Sequence, residues 1–162
     1  MSKQFHIEVV GVFKCSLDRA FKIPILGDAT TFLKGFGPLP GIDSFEEDDS
    51  WGKEKGSRYP VAKKNIFTKG GRVGFDQIYK REENSYWNWG VTRIETFVFG
   101  ITEFEGELFF EEHPDGVHVR WIYHCTVNKF LFRPFAWMFF KILWKGNIKK
   151  AIKNWKADTY RA

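Results

Sequence analysis

A chain of 162 residues has the length of one domain, with a single core that buries roughly 70% of the surface its unfolded form exposes. Aromatic residues make up 19% of it, with 18 Phe and 7 Trp, which is more bulky apolar material than a plain two-layer core demands. The net charge of +5, from 25 basic and 20 acidic residues, is a modest bias towards anionic surfaces, and the dispersal of the basic residues argues against nucleic-acid binding.

Two cysteines, Cys15 and Cys125, without Cys-rich spacing or a signal-peptide pattern, suit a reducing cytoplasmic location. The apolar stretch from Phe130 to Trp144 is interrupted by Arg133 and Lys141 and falls short of the roughly 20 residues that cross a bilayer.

In chain order, Phe5, Ile7, Val9 and Phe13 share one parity and His6, Glu8 and Lys14 the other, the period-2 pattern of a half-buried strand. Ser16 can then cap a short helix that Pro24 is expected to limit, and a second short helix is expected from Asp28 to Lys34. Gly35 to Gly41 reads as loop, and the acidic run Glu46 to Asp49 as a solvated strand edge or turn. From Ser57 strand signals recur at hairpin spacing, with turns at Lys69-Gly70-Gly71, Glu83-Asn84-Ser85 and Pro114-Asp115-Gly116.

Alternation is clearest in the last two strands. Phe104, Leu108 and Phe110 oppose Glu103, Glu105, Glu107 and Glu111, and Val117, Val119, Trp121, Tyr123 and Cys125 oppose His118, Arg120 and His124. One wet face per strand is the mark of an antiparallel sheet covered on one side. The cover is a helix from about Pro134 towards Tyr160, roughly 40 Å long. On a regular wheel Trp137, Phe140, Trp144, Ile148, Ala151, Ile152 and Trp155 form the stripe that faces the sheet, with Lys149, Lys153 and Lys156 opposite. A second apolar surface, including Phe135, Phe139 and Ile142, occupies the first half of the helix; it is buried under the short helices or it meets a membrane, a second copy or another partner.

The order strand, two short helices, six strands, long helix resembles the START-like, or birch-pollen-allergen-like (SRPBCC), superfamily. FHIEVVGVFKCSLDRAFKI is similar to its opening strand and short helices, WGKEKGSRYPV to its Gly-Ser/Ala-x-Arg strand start, SYWNWGV to its aromatic strand, and DGVHVRWIYH to the strand before its helix. The likeness covers almost the whole chain, 1–162, as one domain, and is nearest to polyketide cyclase/dehydratase-like and lipid-transport-like bacterial proteins. It implies an α+β helix-grip fold, a seven-stranded bent antiparallel sheet wrapped around a long C-terminal helix, with two short helices after the first strand. It also implies a cavity for a small hydrophobic molecule such as a lipid, isoprenoid, polyketide or aromatic compound, and names no substrate. If the first and last strands pair antiparallel, as the family's do, Cys15 and Cys125 lie too far apart for a disulfide.

No P-loop, dinucleotide fingerprint, nucleophile elbow or His-Glu-x-x-His motif occurs, and no cofactor or metal is expected. His6, His113, His118 and His124 show no metal-ligand spacing and read as solvent-facing. The expected ligand-binding residues are Trp87, Trp89, Phe104, Phe110, Trp121 and Tyr123 from the strands, and Trp137, Phe140, Trp144 and Ile148 from the helix. Asp76 is the weak catalytic candidate. GFDQIYKRE resembles the family strand that carries an acidic residue, and Asp76 is a buried acid if its parity, shared with Ile78, faces the cavity; the other parity carries Phe75 and Tyr79.

Overall fold

β1 (Lys3–Phe13) pairs antiparallel with β10 (Gly116–Val127) along its full length, from Lys3 opposite Val127 to Phe13 opposite Val117. The structure is a computed structural model that describes residues 3–66, 68–94 and 100–160. Between these strands lie α1 (Leu17–Leu26), a single 3-10 turn (Ala29–Thr31), β2 (Gly35–Phe36), β3 (Leu39–Pro40), β4 (Ile42–Glu47), β5 (Ser57–Ala62), β6 (Gly71–Arg72), β7 (Phe75–Glu82), β8 (Tyr86–Thr92) and β9 (Ile101–His113). Seven strands form one antiparallel sheet in the order β1-β10-β9-β8-β7-β5-β4; β6 adds a short rung to β5, and β2 and β3 make a separate minimal hairpin.

The expected alternation sets the two faces of this sheet. On β9, Phe104, Leu108 and Phe110 are buried while Glu103, Glu105 and Glu107 face outwards, and on β10 Val117, Val119, Trp121, Tyr123, Cys125 and Val127 are buried. Register shifts at Ile42/Ser44, Ile78/Lys80 and Thr126/Val127 mark bulges, which bend strands and strengthen their twist, so the buried face can wrap around a helix.

That helix starts with a 3-10 turn (Phe130–Phe132), runs through α2 (Arg133–Met138) and a π-helical segment (Phe139–Trp144), and continues as α3 (Lys145–Tyr160). α3 lies directly on β1, where a Cβ at Gly11 would stand 3.0 Å from the Ile152 side chain, so glycine permits the close approach. Its buried apolar residues Ile148, Ala151, Ile152 and Trp155 are those of the expected stripe, and Asn147 is buried beside them. Trp155 is the centre of an aromatic cluster, with ring centroids 4.2 Å from Phe13, 6.2 Å from Phe32 and Trp121, and 6.5 Å from Phe110.

Several local expectations are corrected. Ser16 caps α1 as expected, its hydroxyl accepting from the Arg19 amide at 3.3 Å, but the helix runs through Pro24 to Leu26. Pro24 stands in the last turn, where its missing N–H removes the single bond to the Ala20 carbonyl and only two helical residues follow. The helix expected over Asp28–Lys34 is one 3-10 turn, capped by Asp28 accepting from the Thr30 amide at 3.0 Å. Trp137, placed on the inward stripe by a regular wheel, is 50% exposed. The π segment explains this. Its wider turns insert an extra residue into the helix, which rotates everything N-terminal to it by about 100° relative to a regular 3.6-residue phase. The buried side before the insertion is therefore Ala136, Phe139 and Phe140. Phe139, expected on the second apolar surface, is 7% exposed, whereas Phe135 and Ile142 of that surface remain in solvent.

Candidate ligand cavity

Between the buried face of the sheet and the C-terminal helix lies a cavity of about 450 Å³, within the range of small-molecule sites. The helix contributes Phe139, Leu143, Trp144 and Asn147; the late strands contribute Trp89, Val91, Phe104, Leu108, Trp121 and Tyr123. The opposite wall comes from Pro24 and Ile25 of α1, Phe32, Leu39, and Phe45, Pro60 and Ala62 of β4 and β5.

The aromatic wall is interlocked. Trp144 stacks on Phe104 with centroids 4.9 Å apart and meets Tyr123 edge-on at 5.6 Å, and Tyr123 meets Trp89 edge-on at 5.8 Å. Trp89 can lie flat over β9 because the residue opposite it is Gly106, where a Cβ would stand 2.4 Å from the indole. Such ring pairs hold orientation as well as buried area.

The described lining residues include two oppositely charged groups, Arg58 and Asp76, facing each other across the β5–β7 pairing. Asp76 is 3% exposed and shares its buried parity with Ile78, while Tyr79 points to the wet side. Arg58 Nε donates to Asp76 Oδ2 at 3.0 Å, and Arg58 Nη1 reaches Glu47 Oε2 at 3.5 Å. The guanidinium carbon lies 3.7 Å from the ring centroids of both Phe45 and Trp51, so cation–π contacts on two sides hold it in place. Trp51 is fixed in turn by its indole N–H, which donates to the Ile25 carbonyl at 2.8 Å.

Asp76 Oδ1 is buried and has no hydrogen-bond partner, and neither has the Trp144 indole N–H. Burial pushes the Asp76 carboxyl up to about 6 against the opposing pull of Arg58. Burial, reinforced by the Asp76 charge, pushes the Tyr123 phenol well above its ordinary range. The described lining thus combines oily walls with one unpartnered carboxylate oxygen, unpartnered indole N–H groups at Trp121 and Trp144, and the polar groups of Tyr123 and Asn147.

Of the residues expected from sequence, Trp89, Phe104, Trp121, Tyr123, Trp144 and Asp76 come together around this space. Trp87, Phe110, Phe140 and Ile148 are buried outside the lining as solid packing. Trp87 stacks on Phe21 at 4.8 Å and its indole N–H donates to the Phe21 carbonyl at 2.9 Å, tying α1 to the sheet.

Solved structures share this architecture end to end. Ara h 8.0201 superposes with a TM-score of 0.70 at 11% identity, covering 99% of this chain and 100% of its own. A protein of unknown function from Staphylococcus aureus, SA2116, gives 0.68 at 14% identity over 99% and 98% of the two chains. The di-domain ARO/CYC StfQ of the steffimycin biosynthetic pathway gives 0.68 at 9% identity, over 95% of this chain and half of its own. The chain has the START-like, birch-pollen-allergen-like helix-grip fold. No family model and no curated protein matches it by sequence.

Within this helix-grip fold the near wall, from α1 to β5, is what the sequence left unassigned. Arg58 carried a readable signal, since SRYPVA buries Arg58, Pro60 and Ala62 on one parity. A charged residue sharing a parity with two apolar ones, opposite an acid on a later strand, marks a buried pair. The thiols stand as expected: Cys125 is paired in register with Phe5, at the far end of β1 from Cys15, and both are free. The histidines lie on the polar side, but His113, Asp115 and His118 meet at the β9–β10 turn with ligand atoms within 4.8 Å, a grouping that spacing alone did not suggest. There His118 Nε2 is 2.8 Å from Asp115 Oδ1.

Proposed function

We propose that this protein binds or carries one small hydrophobic molecule in the cavity between sheet and helix, and that the molecule presents a hydrogen-bond donor to Asp76. The observation that carries this reading is an apolar-walled space in which, among the described residues, a single carboxylate oxygen stands unpartnered. A hydroxyl or N–H on an otherwise apolar body, as in a lipid, isoprenoid, polyketide or aromatic compound, would fill the walls and satisfy Oδ1 together. The two free thiols and the absence, among the described residues, of a helix able to cross a membrane are compatible with action in the cytoplasm.

Native mass spectrometry of the purified protein should show a retained apolar molecule or an exchangeable one. Displacement of a fluorescent apolar probe by alcohols and their matched deoxy analogues should favour the alcohol by roughly 10- to 100-fold, the worth of one hydrogen bond to a charged acceptor. Leu143→Trp, which fills the cavity from the helix side, should weaken probe binding by at least about tenfold with an unchanged circular dichroism spectrum. Empty protein that binds no probe would end the reading.

A cyclase/dehydratase-type activity in the same cavity is the second reading, favoured by the Asp76 carboxyl lying at about 6, where it can hold or release a proton near neutrality. It stays second because the other titratable groups among the described lining residues are Arg58 and the upshifted Tyr123, which leaves no second proton carrier poised near neutral pH. It requires a substrate whose turnover Asp76→Asn abolishes without unfolding the protein.

A further inference from the structure

We infer that the outward face of the C-terminal helix docks on an anionic lipid bilayer. Leu131, Phe135, Met138 and Ile142 follow one another at steps of four, three and four residues, which places them on one face of the helix. They are 51% to 81% exposed. The opposite side of the same turns, Ala136, Phe139 and Phe140, is buried against the fold. A contiguous exposed apolar stripe of this kind on a helix is an interaction surface rather than ordinary surface scatter.

Charge identifies the occupant. Beyond the π segment, Lys149 and Lys153 stand exposed on the side of α3 opposite the buried Ile148, Ala151, Ile152 and Trp155, so the outward face turns from apolar to basic along the helix. The basic residues are dispersed through most of the chain but not here: nine of the 25 lie between Gly116 and Ala157, and none of the 20 acidic residues does. A second copy of this helix meets the surface poorly. Stacked antiparallel it would set apolar side chains against lysines, stacked parallel it would set lysines against lysines, and the face offers no carboxylate to either arrangement. A leaflet containing anionic lipid supplies both partners, acyl chains for the first half and phosphate or carboxylate headgroups for the second. Trp137, half exposed at the edge of the stripe, is the residue type that settles at the headgroup boundary.

Phe139, Leu143 and Trp144 of these turns line the cavity, so a docked helix would separate the ligand from the bilayer by about one helix diameter, ~10 Å. The docking surface does not depend on the ligand reading and is tested without a ligand. Co-sedimentation with phosphatidylcholine vesicles containing about 30% phosphatidylserine should exceed that with pure phosphatidylcholine by at least about tenfold and fall with added salt. The double variant Leu131→Glu/Ile142→Glu should lose binding to both vesicles while its thermal midpoint stays unchanged, because both positions are exposed. Lys149→Glu/Lys153→Glu should remove the preference for phosphatidylserine and leave the weaker binding to phosphatidylcholine. The inference is overturned by wild-type protein that sediments with neither vesicle, or by binding indifferent to the Leu131/Ile142 pair. It is equally overturned by light scattering that shows a dimer abolished by those substitutions without vesicle binding, which would assign the face to self-association.

Discussion

Trp155→Ala should lower the unfolding free energy by about 3–5 kcal/mol, read from urea denaturation at constant m-value. Trp155 is fully buried on α3 and its ring lies against Phe13 of β1, Phe32 beside the 3-10 turn, Phe110 of β9 and Trp121 of β10. Truncation therefore opens a void where four parts of the chain meet, and no single neighbour can collapse into it. Trp155→Phe is the informative partner. The indole N–H of Trp155 has no hydrogen-bond acceptor, so phenylalanine gives up volume but also removes an unsatisfied buried donor, and its loss should be well under half that of alanine. An alanine loss below about 1.5 kcal/mol would mean that the helix is not clamped to the sheet through this residue.

The contrast between α3 and the turns before it shows what a sequence can and cannot disclose here. From Ile148 to Trp155 the helix is regular, so a wheel identified the buried residues correctly. Before it, six residues are π-helical, and no residue type announces the extra residue, so the wheel put Trp137 on the stripe facing the sheet, where it is half exposed, and split the second apolar surface, on which Phe139 is buried while Phe135 and Ile142 are exposed. The late strands were legible because acids alternate with aromatic residues on β9 and β10, and a one-residue slip would bury the glutamates. β7 was ambiguous because Ile78 on one parity and Phe75 and Tyr79 on the other are all apolar enough to face a core. What decides it is the register: Arg58 lies opposite Asp76, and pairing between strands is information that no local pattern carries. The near wall was missed for the same reason, since Pro24, Phe32 and Leu39 lie at a helix end, just after a 3-10 turn and on a two-residue strand, without periodicity.

Asp76→Leu should destabilise the protein by about 3–5 kcal/mol at neutral pH, because it leaves the Arg58 guanidinium buried without its closest counter-charge, with only the half-exposed Glu47 at 3.5 Å to answer it. Adding Arg58→Met should recover most of that loss, since Phe45 and Trp51, which now sandwich the guanidinium, can pack on a methionine as well. A double variant no more stable than Asp76→Leu would show that the pair is not the source of the effect. The pH profile tests the same carboxyl in the intact protein. Its native pKa of about 6 lies above the ordinary value of 3.8, so the folded state holds the proton more tightly than the unfolded chain. Below about pH 4 both states are protonated and the group is neutral in its effect. As pH rises from about 4 to 6 the unfolded state ionises first, and relative stability falls by about 3 kcal/mol. Subtracting the profile of Asp76→Asn, which cannot titrate at this position, isolates that fall from the carboxylates that are held below their ordinary values, such as Asp48 and Asp115. A flat or rising difference curve would contradict the upshift. The same linkage bears on the ligand: a hydroxyl donating to Oδ1 favours the ionised carboxylate, so affinity for an alcohol should strengthen as pH rises through 6 while that of its deoxy analogue should not.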